Sequence, residues 1–311
     1  MKEYIFNYYP RFKCIAQECK HTCCAGWEMN IDSKTLEIYK NDKSSFSSAL
    51  KCGINYKKSK FKADKNKRCA FLNEQGLCEI ILNLGEKSLC QVCRDHPRFR
   101  SFFSDRIETG LGFCCEEATR QILSFEDKIE PVLVSDNGAS GTLDYNENNV
   151  LQFRENALNI LQNRELDINQ RIDDLLKLCK AKVSETDFAK IVKAFLRTER
   201  LDKGWTKRVK KINFDKITPP KLSLFAEQFL VNCLYRNLSY AEDTIWVRAR
   251  AITCIFAWWI VKSIIAQEQG DNDSLLELCV DVVRAYSTEI EYSENNLEKL
   301  FSFAYKFIKI G

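Results

Sequence analysis

Eleven of the chain's fifteen cysteines fall within its first 115 residues, and ten of those eleven stand in close-set groups. The groups are Cys14, Cys19, Cys23 and Cys24; then Cys69 and Cys78; then Cys90 and Cys93; then Cys114 and Cys115, with Cys52 standing apart. A fold that gathers so many thiols in one third of its length must cross-link them, coordinate something with them, or bury them as small apolar groups.

Cross-linking is the weakest of the three. Disulfide scaffolds serve small secreted domains that cannot build a core. This chain has 311 residues, of which 45% are hydrophobic, enough for a core without staples. Its first residues, MKEYIFNYYPRFKC, hold no apolar run of the signal-peptide kind, so a cytoplasmic, reducing location is expected. Neighbours such as Cys23–Cys24 and Cys114–Cys115 also bridge to each other only under strain. Burial suits the four cysteines of the remaining chain, Cys179, Cys233, Cys254 and Cys279, which sit in apolar, helix-like surroundings.

Metal ligation is therefore favoured for the N-terminal groups. The only histidines are His21 and His96, which points to an all-thiolate site. Such a site suits zinc or an iron–sulfur cluster, and spacing alone leaves both open. Cys90-Gln-Val-Cys93 is the one C-x2-C pair, and Cys19-x3-Cys23 is within reach of a single ion.

The residues around the cysteines form an ordered series. It runs Phe12-Lys-Cys14, Cys19-x3-Cys23-Cys24-x2-Trp27, Cys69-Ala-Phe71-Leu72, Gly76-Leu77-Cys78-Glu-Ile80, Cys90-x2-Cys93-Arg94-x2-Pro97-Arg98 and Cys115-Glu-Glu117-Ala118. This series resembles the flagellin lysine N-methylase family (FliB) over about residues 4–120, with weaker similarity at Glu227-Gln-Phe-Leu230 and Tyr235-Arg236. The front part is also similar to zinc- or iron-chelating cysteine-cluster domains. The chain departs from the pattern at its last element, where Cys114-Cys115-Glu-Glu117 replaces S-C-P-E, and Cys52 matches nothing.

The resemblance implies S-adenosylmethionine-dependent methylation of lysines on flagellin, and a [4Fe–4S] cluster with zinc as the alternative metal. Its ligand pool is Cys14, Cys19, Cys23, Cys24, Cys69, Cys78, Cys90, Cys93 and Cys115. Arg94 and Arg98 are candidates for a carboxylate of cofactor or substrate, although offsetting cluster charge is the simpler role. His96 stands where the family pattern is often aromatic, and so reads as packing. Asp32 and Glu86 also match family positions without an assignable role, and no catalytic residue is named.

The residues carry a second functional class: a non-catalytic cysteine-cluster protein with a structural, redox or partner-binding role. No glycine-rich loop follows a first strand as in doubly wound methyltransferases. Gly110-Leu-Gly112 is the only close glycine pair. Tyr4, Tyr8, Tyr9 and Trp27 invite comparison with an aromatic lysine cage, but core packing is the better account of each. A net charge of +4 is far from that of a nucleic-acid binder. Seven of the residues between Lys57 and Arg68 are basic and one is acidic, as expected of a solvated loop.

The expected fold is mainly α, with a small irregular cysteine-rich metal domain over 1–135 followed by an all-helical domain over 143–311. The polar segment 135–142 reads as a linker or long loop. Helical periodicity appears around Val150–Leu161 and Ile172–Cys179, and over 186–201, 222–238, 244–268, 274–290 and 293–309, with Ser293 as a cap and Pro219-Pro220 as a break. The apolar run Ala251–Val261, at eleven residues, is too short to span a bilayer and reads as a buried core helix.

Overall fold

A computed structural model describes residues 1–138, 141–212, 222–239, 241–270 and 274–309. The chain is mainly α-helical and divides into two compact units, Lys13–Arg98 and Met1–Phe12 with Phe99–Gly311. The first strand, β1 (Lys2–Phe6), belongs to the larger unit.

The small unit holds α1 (Ser33–Lys40), α2 (Ser47–Gly53), the short hairpin β2 (Ile54–Asn55) and β3 (Lys60–Phe61), α3 (Glu79–Leu84) and α4 (Gln91–Asp95). Its core is Met29, Ile31, Tyr39, Phe46, Leu50, Ile54, Phe61, Phe71 and Ile80, completed by Cys69 and Cys90. The basic stretch is exposed over Lys57–Lys58 and Lys62–Lys67, as expected of a solvated surface, while Phe61 turns inward.

The larger unit continues with β4 (Arg98–Phe102), β5 (Arg106–Leu111), α5 (Glu116–Leu123) and β6 (Pro131–Asp136). The helices follow: α6 (Tyr145–Leu161), α7 (Ile168–Leu178), α8 (Phe188–Leu196), α9 (Lys203–Lys210), α10 (Ser223–Leu238), α11 (Thr244–Glu268), α12 (Leu275–Tyr286) and α13 (Glu294–Tyr305). A π-helical turn, Ser287–Glu291, joins the last two.

The strands make a sheet in the order β4-β5-β1-β6, with β1 parallel to β5 and antiparallel to β6. Periodicity did not foretell this sheet, because β1 finds its partners about a hundred residues downstream. The expected boundary at 135–143 falls inside the larger unit: Ser135 and Asp136 close β6, and residues 139 and 140 lie outside the described residues. Pro219-Pro220 also lies outside them. The glycine pair Gly110-Leu-Gly112 starts within β5, where a Cβ on Gly110 would come within 2.5 Å of the Phe99 ring and 2.7 Å of Phe6. That glycine makes room for two aromatic rings and belongs to no cofactor loop.

The expected helices after residue 143 are present, but that expected over 186–201 ends at Leu196 and α9 was not foreseen; Ser293 caps α13 by accepting the Asn296 N–H at 3.3 Å. The helix around the Ala251–Val261 run spans Thr244–Glu268, 25 residues, as expected. By length and composition α11 is long and apolar enough to cross a membrane, yet 72% of its most apolar stretch is buried within the protein. It packs against α6, α9, α10, α12 and α13. Asp243 caps it by accepting the Ile245 and Trp246 N–H groups at 2.7 and 2.8 Å.

Buried polar pairs tie the larger unit together. Glu227 on α10 accepts from Arg171 at 2.7 Å and from Arg164 at 2.8 Å, clamping α7 and the segment before it. Arg154 on α6 bonds Glu108 on β5 at 2.7 Å, with both side chains buried.

Candidate functional site: the cysteine cluster of the small unit

Eight of the nine expected ligand cysteines lie in the small unit, and five of them, Cys24, Cys69, Cys78, Cys90 and Cys93, sit in or against its core, with the exposed Cys23 hydrogen-bonded to Cys24. Cys23 and Cys24 follow a short turn in which the Cys24 N–H donates to Thr22 Oγ1 at 3.2 Å and the Trp27 indole N–H donates to the Cys23 carbonyl at 2.8 Å. The Cys69 N–H then donates to the Cys24 carbonyl at 2.8 Å, fixing these two segments side by side. The chain reverses between Leu72 and Cys78, with Asn73 Oδ1 accepting the Leu77 N–H at 2.9 Å, and so returns Cys78 toward Cys69 at the start of α3. Cys90 is the cap residue of α4, and Cys93 lies one turn into it.

These sulfurs sense one another. Cys69 interacts electrostatically with Cys24, Cys78 and Cys90, and Cys93 with Cys24, Cys69 and Cys90. Cys23 is hydrogen-bonded to Cys24, and Cys90 to Cys93. The Cys23 hydrogen bond brings Cys24 down to about 7 against the opposing effect of burial, with Thr22 and the Arg68 charge assisting. Burial pushes Cys69 up to about 12 and raises Cys78. Within the Cys90–Cys93 pair, the hydrogen bond from Cys93 lowers Cys90 and the same contact raises Cys93.

The other expected ligands are placed differently. Cys14 is exposed, its sulfur accepting the Ala16 N–H at 3.4 Å, and Cys19 ends the short turn Ala16–Glu18. Cys115 belongs to the larger unit as the cap residue of α5. Its neighbour Cys114 is raised to about 12 by burial and hydrogen-bonded to Tyr292, while Cys52 is exposed on α2. Cys179, Cys233, Cys254 and Cys279 are buried in the core of the larger unit, as their apolar surroundings led us to expect. Among the described residues no cysteine is disulfide-bonded, and no group of three or more His, Cys, Asp or Glu is set out to hold a metal ion. The donor type is nonetheless right for a thiophilic centre: five thiols from three segments sit in or against one small core, with Cys23 beside Cys24.

The remaining candidates have structural partners. Asp32 accepts the Thr35 N–H at 2.9 Å and the Gln91 N–H at 2.8 Å, capping α1 and holding the start of α4. Burial opposes its ionisation, but these hydrogen bonds outweigh it and hold the carboxyl below its usual range. That placement was not legible in the sequence, although Asp32-Ser-Lys-Thr is a cap pattern. Arg98 donates to the Arg94 carbonyl at 3.0 Å and to the His96 carbonyl at 3.4 Å, while Arg94 is exposed at the end of α4. His96 stacks on Trp27, rings 6.4 Å apart, and burial lowers it to about 4. Glu86 is exposed.

The four aromatics do not all lie in one unit. Trp27 is in the small unit; Tyr4, Tyr8 and Tyr9 are in the larger one. Tyr8 is a core residue that donates to Asn232 Oδ1 at 2.7 Å and accepts the Leu111 N–H at 3.2 Å, and burial raises its hydroxyl well above the usual range.

No protein-family profile and no solved structure matches the chain. Curated proteins do. The lysine-N-methylase of Salmonella typhimurium is 28% identical over 125 residues, which is 38% of this chain and 31% of that protein. The flagellar biosynthetic protein FliU of Salmonella muenchen is 27% identical over 124 residues, 37% of this chain and 73% of that protein. The chain thus matches about a third of the length of the curated lysine-N-methylases and is distantly similar to them over little more than a third of its own.

Proposed function

We propose that this chain acts in the bacterial cytoplasm as an S-adenosylmethionine-dependent protein-lysine N-methyltransferase with flagellin as its substrate. The observation that carries this reading is the similarity to two Salmonella lysine-N-methylases together with the ordered cysteine series. Cys23, Cys24, Cys69, Cys78, Cys90 and Cys93 are the residues that would hold a [4Fe–4S] cluster or zinc, with Cys14, Cys19 and Cys115 completing the pool. Such a centre would supply either a rigid cross-link or a Lewis-acidic, redox-active group.

In methyl transfer the lysine nitrogen bonds the activated carbon while the carbon–sulfur bond breaks, so the protein's part is alignment and removal of one proton. A lysine near pKa 10.4 must be neutral to attack. Tyr8 is committed to its core hydrogen bonds and Asp32 to two helix ends, which argues against either as the proton acceptor. Arg94 is the better placed of the two arginines for a carboxylate, because Arg98 already holds two carbonyls.

Anaerobic purification tests the centre: iron–sulfide visible absorbance is expected, and a colourless protein binding zinc alone would replace iron with zinc. Co-expression with flagellin tests the reaction. Mass increments of single methyl groups that disappear with Cys90→Ser are expected; flagellin of unchanged mass in the presence of loaded protein would overturn the assignment. The non-catalytic reading draws on one observation, that Gly110 of the sole close glycine pair lies against Phe99 and Phe6.

A further inference from the structure

Strand β6 ends the sheet of the larger unit, and nothing among the described residues pairs with its outer side. All six of its residues are exposed, and the middle three are apolar: Val132 is 45% exposed, Leu133 49% and Val134 52%. Proteins ordinarily blunt such an edge with lysines, a covering element or an inward charge, because an open ladder is a template for another strand. Pro131 at one end and a register shift between Leu133 and Ser135 at the other blunt the edge, but its apolar centre carries no charge.

The ladder shows which groups are available. The Asn7 N–H donates to the Glu130 carbonyl at 3.0 Å, and the register continues with Phe6 opposite Pro131, Ile5 opposite Val132 and Tyr4 opposite Leu133. Antiparallel pairs alternate between bonded and non-bonded. Val132 therefore turns its backbone to β1, Pro131 sits where no inward donor is needed, and Leu133 presents its N–H and C=O outward.

Charge selects the occupant. Between Glu126 and Asp136 the chain carries four exposed carboxylates, Glu126, Asp127, Glu130 and Asp136, against the single Lys128. Arg11 lies 4.0 Å from Asp127 and Lys2 stands opposite Asp136, which leaves Glu126 and Glu130 as the carboxylates without a facing cation among the described residues. A second copy pairing antiparallel about Leu133 would set Glu130 against the partner's Asp136 at both ends. A strand with basic side chains would instead find carboxylates flanking an apolar centre.

We infer that the outer edge of β6 is a docking site for an extended, lysine-bearing segment of a partner protein, which adds to the sheet as a fifth strand. The inference needs no methyl transfer; joined to the proposed function, it names how a lysine-bearing substrate is gripped.

The test uses the full chain without methyl donor and a fluorescent ten-residue peptide of alternating lysine and valine. Saturable binding is expected, roughly tenfold or more tighter than for a glutamate–valine peptide, with slowed exchange of the Leu133 amide. Leu133→Pro, which removes an outward donor, should abolish binding at unchanged circular dichroism. Should that variant fail to fold, Glu130→Lys with Asp136→Lys should invert the preference between the two peptides. Equal binding of both peptides, or binding indifferent to these substitutions, overturns the inference. So does concentration-dependent dimerisation that Leu133→Pro abolishes, which would give the edge to a second copy. Binding without any methylation of flagellin would overturn the proposed reaction and leave the docking site standing.

Discussion

Asp32 and Gln91, 59 residues apart in the chain, are joined by a 2.8 Å hydrogen bond from the Gln91 N–H to the Asp32 carboxylate. The other carboxylate oxygen caps α1 through Thr35, so one side chain sets the start of two helices, the second of which carries Cys93. Asp32→Ala should destabilise the small unit by about 1–3 kcal/mol, and Asp32→Asn by less, because an amide retains one acceptor. Denaturant unfolding, with hydrogen exchange of the Gln91–Asp95 amides, measures it; an Asp32→Ala protein with unchanged protection there would remove Asp32 from this role.

Burial lowers His96 to about 4, while an unfolded histidine titrates near 6.5. The neutral ring is thus the folded form. Its contribution to stability is complete above pH 6.5 and is lost as the pH falls toward 4, by about 1–3 kcal/mol. His96→Phe should keep the stack on Trp27 and flatten this part of the stability–pH profile. The same acid slope in both proteins would refute the assignment.

Tyr8→Phe leaves Asn232 Oδ1 and the Leu111 N–H without their shared hydroxyl in a buried place. A loss of about 1–3 kcal/mol in thermal stability is expected. Methylation measured well below the melting temperature should be unaffected; a specific loss of turnover at intact stability would make Tyr8 a candidate proton acceptor.

Glu227→Ala strands Arg171, whose side chain is 6% exposed, beside a vanished partner. The cost should be about 3–5 kcal/mol, and Glu227→Ala with Arg171→Met should recover part of it. A calorimetric double-mutant cycle with no coupling between the two positions would contradict the clamp.

Helices α10 and α11 were legible because long apolar runs are local, and α13 because its cap, Ser293, is local too. The sheet was not, because Tyr4 opposite Glu108 is a pairing across about a hundred residues that no window spans. The run Pro131–Asp136 was passed over for a related reason: its apolar centre faces solvent, whereas apolar patterns are read as burial. In the cysteine region the groups were legible from spacing. That Cys24, Cys69, Cys78, Cys90 and Cys93 share one core while Cys115 belongs to the larger unit depends on the turn at Asn73 and on the Cys24–Cys69 backbone bond, which spacing does not encode.

Strand β1 lies between β5 and β6, and its register sets Lys2 opposite Arg106. During synthesis β1 therefore leaves the ribosome with neither of its neighbours made, and at ordinary elongation rates it waits about 5–20 s for β5. In that interval the entire thiol-bearing stretch, Lys13–Arg98, is translated. The cysteine module can thus collapse, and meet whatever it binds, while the sheet that flanks it in sequence is still an open strand.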